Sequence, residues 1–199
     1  MSAYIRPLSL ADKEQCGIVE SAAFPPAEAA TPVKIEYRLT VCPEICFGLF
    51  APKDTKVATP LPDNTPVYSE NTPKDGEELI AHVIATRATA KTVRDQDMEV
   101  PKDWRKDPTA KTEVGHLQGG RTITLHSLAV SPKYQRSGIG KTLMNAYIEH
   151  IRKTGTTDRI SILTYGRLLP YYQKLGFTLY GKSESTYAGV AWYDLAYEF

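Results

Sequence analysis

The amino-acid sequence predicts an α/β domain, a mixed central β-sheet flanked by helices. Three observations carry this. Apolar or alternating runs at residues 4–8, 46–50, 78–89, 122–130 and 159–165 read as strands, and they are interleaved with segments of helical period. The best-formed helical segment, 140–154, places Leu143, Met144, Tyr147, Ile148 and Ile151 on one face. Finally, 199 residues with 42% hydrophobic and 24% charged side chains suit one globular domain, residues 1–199, with a sizeable core.

The elements follow in order. Residues 4–8 form a short strand; Ser9 then offers an N-cap, with Asp12 in a capping-box-like place. The helix starting near Leu10 is expected to turn Ile18, Val19 and Ala22 inward. It stops before Phe24-Pro25-Pro26, because proline lacks the donor and disfavours α geometry before it. A loop leads to a second helix near 33–40 and a strand at 46–50. From 51 to 76, Pro52, Pro60, Pro62, Pro66 and Pro73 among Asp, Asn and Thr mark a surface insertion that buries little. A strand returns at 78–89. Residues 91–120 are charged and turn-prone, with Met98, Val100 and Trp104 as apolar anchors. This second insertion is expected to be partly helical and to lie over the functional site. Strand 122–130 and helix 140–154 follow, the helix closed by Arg152, Lys153 and Gly155. Then come strand 159–165, a short helix at 168–175 stopped by Gly176, and closing strands at 177–181 and 189–199.

Charge and cysteine content narrow the function. A net charge of +1 gives no whole-molecule field to attract nucleic acid or a membrane surface. The cysteines, Cys16, Cys42 and Cys46, are sparse and odd in number, which indicates reduced thiols. Cys42 and Cys46 lack a neighbouring ligand set for zinc, so no metal is expected. Neither a membrane-length apolar run nor a secretory h-region is present, and a cytoplasmic protein is expected.

The most informative stretch is Leu128-Ala-Val-Ser-Pro-Lys-Tyr-Gln-Arg-Ser-Gly-Ile-Gly-Lys-Thr142. It runs from a strand through a turn into two glycines at the mouth of a helix. Glycines let a ligand lie against bare backbone, and a helix start offers free N–H groups and positive dipole to a pyrophosphate. A P-loop would need glycine where Gln135 stands, and a dinucleotide fingerprint would need glycine where Leu143 stands. What remains, Gln135-x-x-Gly138-x-Gly140, resembles the acetyl-coenzyme A loop of the GNAT superfamily of N-acetyltransferases.

Three further segments extend the resemblance over nearly the whole chain. These are Ile5-Arg-Pro-Leu with Asp12 and Phe24, the Cys-Pro-Glu segment within 38–50, and Leu169-Pro-Tyr-Tyr-Gln-Lys-Leu-Gly-Phe177. Within the superfamily the chain is most similar to the serotonin (arylalkylamine) N-acetyltransferases and the related polyamine acetyltransferases. The arylalkylamine enzymes carry His-x-His before the coenzyme strand, whereas here Thr124-Leu125-His126 retains only the second histidine. Both insertions are also longer than that family's compact form.

The resemblance implies a sheet splayed at the acetyl-coenzyme A site and transfer of acetyl to a small primary amine by direct attack. A protein lysine or N-terminal acetyltransferase and a non-catalytic coenzyme-binding module are the competing readings. His126, with an intrinsic pKa of ~6.5, suits a general base, because an amine of pKa ~10.4 must lose a proton to react. Tyr172 resembles the family's general acid for the departing thiolate, with Tyr171 as its core neighbour. The implied coenzyme contacts are Leu128, Ala129 and Val130 on the strand and Gln135, Arg136, Ser137, Gly138, Ile139, Gly140, Lys141 and Thr142 in the loop. Phe24, Pro43, Phe47, Tyr187 and Trp192 are candidates to wall the amine pocket. No obligatory protein partner is implied.

Overall fold

The computed structural model describes residues 2–62 and 64–199. It contains a seven-stranded mixed sheet of order β1-β2-β3-β4-β5-β7-β6, labelled in chain order, with helices beside it. The chain forms two compact units, Met1–Ile84 with Ser127–Glu149, and Ala85–His126 with His150–Phe199. Among the described residues, no helix is long and apolar enough to cross a membrane.

The first unit holds β1 (Tyr4–Pro7), α1 (Lys13–Ala23), α2 (Pro32–Val41), β2 (Phe47–Pro52), most of β3 (Glu77–Ala88) and the end of β4 (Thr122–Val130). β1 pairs antiparallel with β2, and β2 with β3. The Asp12 carboxylate accepts from the Ser9 N–H at 2.8 Å, as the capping pattern anticipates. Leu8, Cys16, Val19, Ile35, Leu39, Phe50 and Leu79 pack into one cluster. The helical face of α1 departs from the expectation: Ile18 is 69% exposed and Ala22 is exposed too, while Glu20 is buried. The reason is polar. Glu20 bonds the His82 ring at 2.9 Å and the Ala30 N–H at 2.9 Å, and these contacts set the helix rotation.

A buried ion cluster anchors β1. Arg6 donates to both Asp12 oxygens, at 2.9 and 2.8 Å, and to Glu77 at 2.5 Å. Tyr4 also donates to Glu77. The 51–76 insertion returns to this strand, with the Ile5 N–H donating to the Pro66 carbonyl and the Tyr68 N–H to the Ile5 carbonyl, both at 2.8 Å.

The second unit holds the end of β3, the start of β4, β5 (Arg159–Thr164), α4 (Leu169–Lys174), β6 (Thr178–Lys182) and β7 (Tyr193–Glu198). β4 and β5 are parallel, which requires a crossover between them, and α3 (Ile139–Thr154) lies in it. β7 is antiparallel to both β5 and β6. One expectation is corrected here and one is made specific. The last strand begins at Tyr193 rather than 189, because Tyr187–Gly189 forms a 3-10 turn with Ala188 in the left-handed region at φ 53. Within 91–120 the helical content is a single short turn, Asp95–Met98, where Arg94 and Asp97 pair at 2.8 Å.

Candidate functional site

In the first unit the proposed coenzyme loop is built from the end of β4. The Ser131 N–H donates to the Ile80 carbonyl at 2.9 Å, and Pro132–Tyr134 turns the chain. Gln135 folds the loop back by donating its Nε2 to the Val130 carbonyl at 3.0 Å, and Ser137 donates its hydroxyl to the Tyr134 carbonyl. Arg136 and Gly138 take left-handed backbone, at φ 60 and φ 86. The Gly138 carbonyl accepts from the Thr142 N–H at 3.0 Å, so α3 starts here. The N–H groups of Ile139, Gly140 and Lys141 therefore have no partner within the helix and lie at its positive end.

A Cβ placed on Gly138 meets nothing within 4 Å, so the surface there is open backbone. Arg136 and Lys141 stand exposed beside it, and Thr142 is half-buried. These features suit a pyrophosphate-bearing ligand. Ile139 is buried and anchors the loop, and the Ser137 hydroxyl is engaged with the loop's own backbone. On β4, Leu128 and Val130 are half-buried whereas Ser127 and Ala129 are buried, the alternation of a strand with one open face.

The second unit carries His126, half-buried, whose Nε2 shares a 2.8 Å hydrogen bond with the Thr86 hydroxyl on β3. Which atom donates depends on the ring tautomer. Directly opposed residues of a sheet project to the same face. The pairs Thr124–Ser161 and Leu163–Asp194 therefore define a face that also holds His126, Tyr165 and Trp192. Ile160 and Ile162 occupy the other face and are fully buried, while Leu163 and Tyr165 are only half-buried. Ser161 donates its hydroxyl to the Lys91 carbonyl at 2.5 Å, so the start of the 91–120 insertion crosses the face that carries His126.

Of the two tyrosines on α4, Tyr172 is the core residue, at 8% exposure, and Tyr171 is half-buried, the reverse of the expectation. Tyr172 packs edge-on against Tyr171 at 5.0 Å and Phe177 at 5.5 Å. Burial, and then its neighbour Tyr171, push the Tyr172 phenol well up, and burial takes Tyr171 to about 12. Full proton transfer from such a phenol to a thiolate of ordinary pKa ~8.5 runs uphill. Tyr172 therefore keeps its proton and is suited to donate a hydrogen bond.

The pocket candidates divide between the units. Phe47 is fully buried with its ring against Tyr147 at 5.8 Å, a core contact. Phe24 is partly buried against the first unit's core cluster, and Pro43 is half-buried at the start of a 3-10 turn. In the second unit Trp192 packs on Tyr165 at 5.0 Å and on Tyr187 at 6.5 Å, and its Nε1 donates to the Tyr187 carbonyl at 2.8 Å.

Sequence reasoning missed three polar features. Thr86 fixes the His126 ring. His82 joins Glu20 and lies 3.5 Å from the Ser127 hydroxyl, in the strand segment next to His126. Burial raises the Glu20 carboxyl, but the hydrogen bond and charge of His82 outweigh it and hold the group below its ordinary value. Asp194 is the third. A titratable residue inside an otherwise apolar strand was the available signal for His82 and Asp194.

A family model described as an acetyltransferase (GNAT) domain matches residues 64–199. The serotonin N-acetyltransferase of Mesocricetus auratus is 24% identical over 181 residues, which is 89% of this chain and 68% of that protein. The loading GNATL domain of CurA from Lyngbya majuscula superposes with a TM-score of 0.67 at 11% identity, covering 100% of this chain and 98% of that one. The NatC complex bound to Gag peptide and CoA gives a TM-score of 0.64 at 16% identity, covering 100% and 99%. At these identities the structural likeness shows the fold.

Proposed function

Because the chain belongs to the GNAT acetyltransferase family, we propose that it transfers the acetyl group of acetyl-coenzyme A to the nitrogen of a small primary amine, an arylalkylamine or a polyamine. The observation that carries the coenzyme assignment is the loop at the start of α3, where left-handed Gly138 leaves open backbone beside three helix-start N–H groups. The match to a serotonin N-acetyltransferase along most of the chain supports the amine.

In this reading, Arg136, Gly138, Gly140 and Lys141 hold the phosphates. The coenzyme supplies an activated thioester. Backbone N–H groups at Leu128–Val130 stabilise the oxyanion as the amine nitrogen bonds to the carbonyl carbon. His126 takes the proton that the amine loses, directly or through water, and Thr86 keeps its ring in place. As the carbon–sulfur bond breaks, Tyr172 donates a hydrogen bond to the thiolate, which gains its proton in the end from solvent. No acyl-enzyme is needed, since Cys16, Cys42 and Cys46 are all buried, and burial drives the thiols of Cys16 and Cys42 well up.

The test is to incubate the protein with acetyl-coenzyme A and tryptamine, phenethylamine or 1,4-diaminobutane and weigh the amine by mass spectrometry. An N-acetylated product with each equivalent of thiol released supports the reading. Thiol release with no mass gain on any amine overturns it.

A further inference from the structure

The buried carboxylate of Asp194 has no role in the chemistry above. It is 9% exposed, on β7, between half-buried Tyr193 and buried Leu195. The Ser183 side chain supplies one hydrogen bond to it. Its Oδ1 is buried and has no hydrogen-bond partner among the described residues. A buried carboxylate oxygen without a partner is costly and rare, and such a group in a native fold calls for a reason.

Its surroundings in the second unit suggest one. Asp194 opposes Leu163 across β5 and β7, and Leu163 and His126 each lie one residue beyond the last β4–β5 pair, Leu125–Ile162. By strand alternation the carboxylate and the imidazole stand on one face, with β5 between them, at least about 10 Å apart at the backbone, the sum of two strand spacings. Two residues from Asp194, about 7 Å along the strand, Trp192 stacks on Tyr165. A desolvated carboxylate beside aromatic faces is a site for an ammonium group. Glu184 adds negative charge nearby, and Asp95, on the Asp95–Met98 turn, accepts from Ser185 and Thr186 of the same segment as Glu184. Arg167, over the Tyr165 ring at 3.9 Å, and Lys182, next to Gly181 that pairs with Asp194, carry opposing charge, but both are exposed to solvent and so screened.

We propose that Asp194, flanked by Tyr165 and Trp192, is a subsite for a second, non-reacting ammonium group of the acceptor, so that short diamines are preferred over monoamines. This rests on the amine-acetyltransferase reading. With the reacting nitrogen at His126, the distal nitrogen reaches Asp194 across a spacer of about three to five carbons, given the two-strand separation. The distal group stays protonated, since a primary amine has a pKa of ~10.4. Asp194 therefore sets specificity and takes no part in bond making.

The experiment compares kcat/KM for butylamine and 1,4-diaminobutane, matched in length and differing in one amino group, in the native sequence and in Asp194→Asn. Asparagine keeps the shape and removes the charge, and a thermal melt confirms folding. The native protein should favour the diamine by on the order of 10-fold or more, the scale of one charge-assisted hydrogen bond. Asp194→Asn should collapse that ratio toward one, mainly by raising KM for the diamine. A native ratio at or below one, or a variant that lowers both substrates by the same factor, overturns the proposal while leaving amine acetylation standing. If neither amine is acetylated, the proposal falls, and tryptamine and phenethylamine then decide the amine-acetyltransferase reading separately.

Discussion

Replacing Gly138 by alanine separates ligand binding from folding. Gly138 sits at φ 86, where an added Cβ meets nothing within 4 Å. The cost to the fold is then that of a left-handed alanine, ~1–2 kcal/mol. In a chain of this size that lowers Tm by roughly 2–8 °C. Gly119 supplies a matched control, at φ 80 with nothing within 4 Å of its Cβ and no place in the loop. Binding should separate the two. A methyl group on the approach to the helix start removes at least one charge-assisted backbone contact to phosphate, worth ~1.5–3 kcal/mol. That weakens Kd for acetyl-coenzyme A roughly 10- to 150-fold. Isothermal titration of both folded variants is the assay, with a thermal melt of each alongside. If Gly138→Ala binds within about twofold of Gly119→Ala, the helix start does not hold the phosphates and the coenzyme assignment fails.

Four more perturbations follow from the same geometry. His126→Gln should slow turnover most at neutral pH and recover in part at alkaline pH, where more of the amine arrives neutral; a kcat/KM profile with its acidic limb intact would show the proton leaving by another route. Tyr172→Phe should cut kcat by on the order of 10²-fold with acetyl-coenzyme A affinity retained, and a larger loss in Tyr171→Phe would mean that the half-buried ring is the donor. Arg6→Met strands Asp12 and Glu77, which are buried with it, and should destabilise the protein by ~3–5 kcal/mol in urea melts; a loss below about 1 kcal/mol would mean that the cluster is not a dry ion pair. His116 is pushed down to about 4, first by burial and then by the charge of Arg87. An unfolded histidine titrates near 6.5, so the unfolded state binds the extra proton first. Stability is then present above pH ~6.5 and falls by about 3 kcal/mol as pH drops through the folded value, a loss that His116→Gln should remove from the acid limb of a stability profile.

Much of the architecture was legible in the sequence. The strand at Thr122–Val130 has the limits its alternation predicts, and α3 buries Leu143, Met144, Tyr147, Ile148 and Ile151 as its period requires. The loop's two glycines marked a helix start in the right place, and the structure adds that Gly138 is left-handed. What hydrophobic period did not supply was the polar partner of a distant element. α1 presents Glu20 instead of Ile18 because His82, 62 positions away, completes a buried pair. Thr86 and Asp194 carry no local signature beyond a polar side chain in an apolar strand, so their places emerged only when the strands were set side by side. The order of burial of Tyr171 and Tyr172 is a matter of how α4 rotates against Phe177, which neighbouring identical residues cannot reveal.

The most direct measurement is thiol release from acetyl-coenzyme A in the presence of small amines, of lysine-containing or free N-terminal peptides, and of no acceptor. Release that depends on a small amine, with peptides and the blank near background, is the result expected of the amine acetyltransferase. Release driven by peptides alone would contradict the substrate class and favour a protein acetyltransferase. Tight binding of acetyl-coenzyme A with no release under any condition would contradict the enzymatic role of His126 and Tyr172.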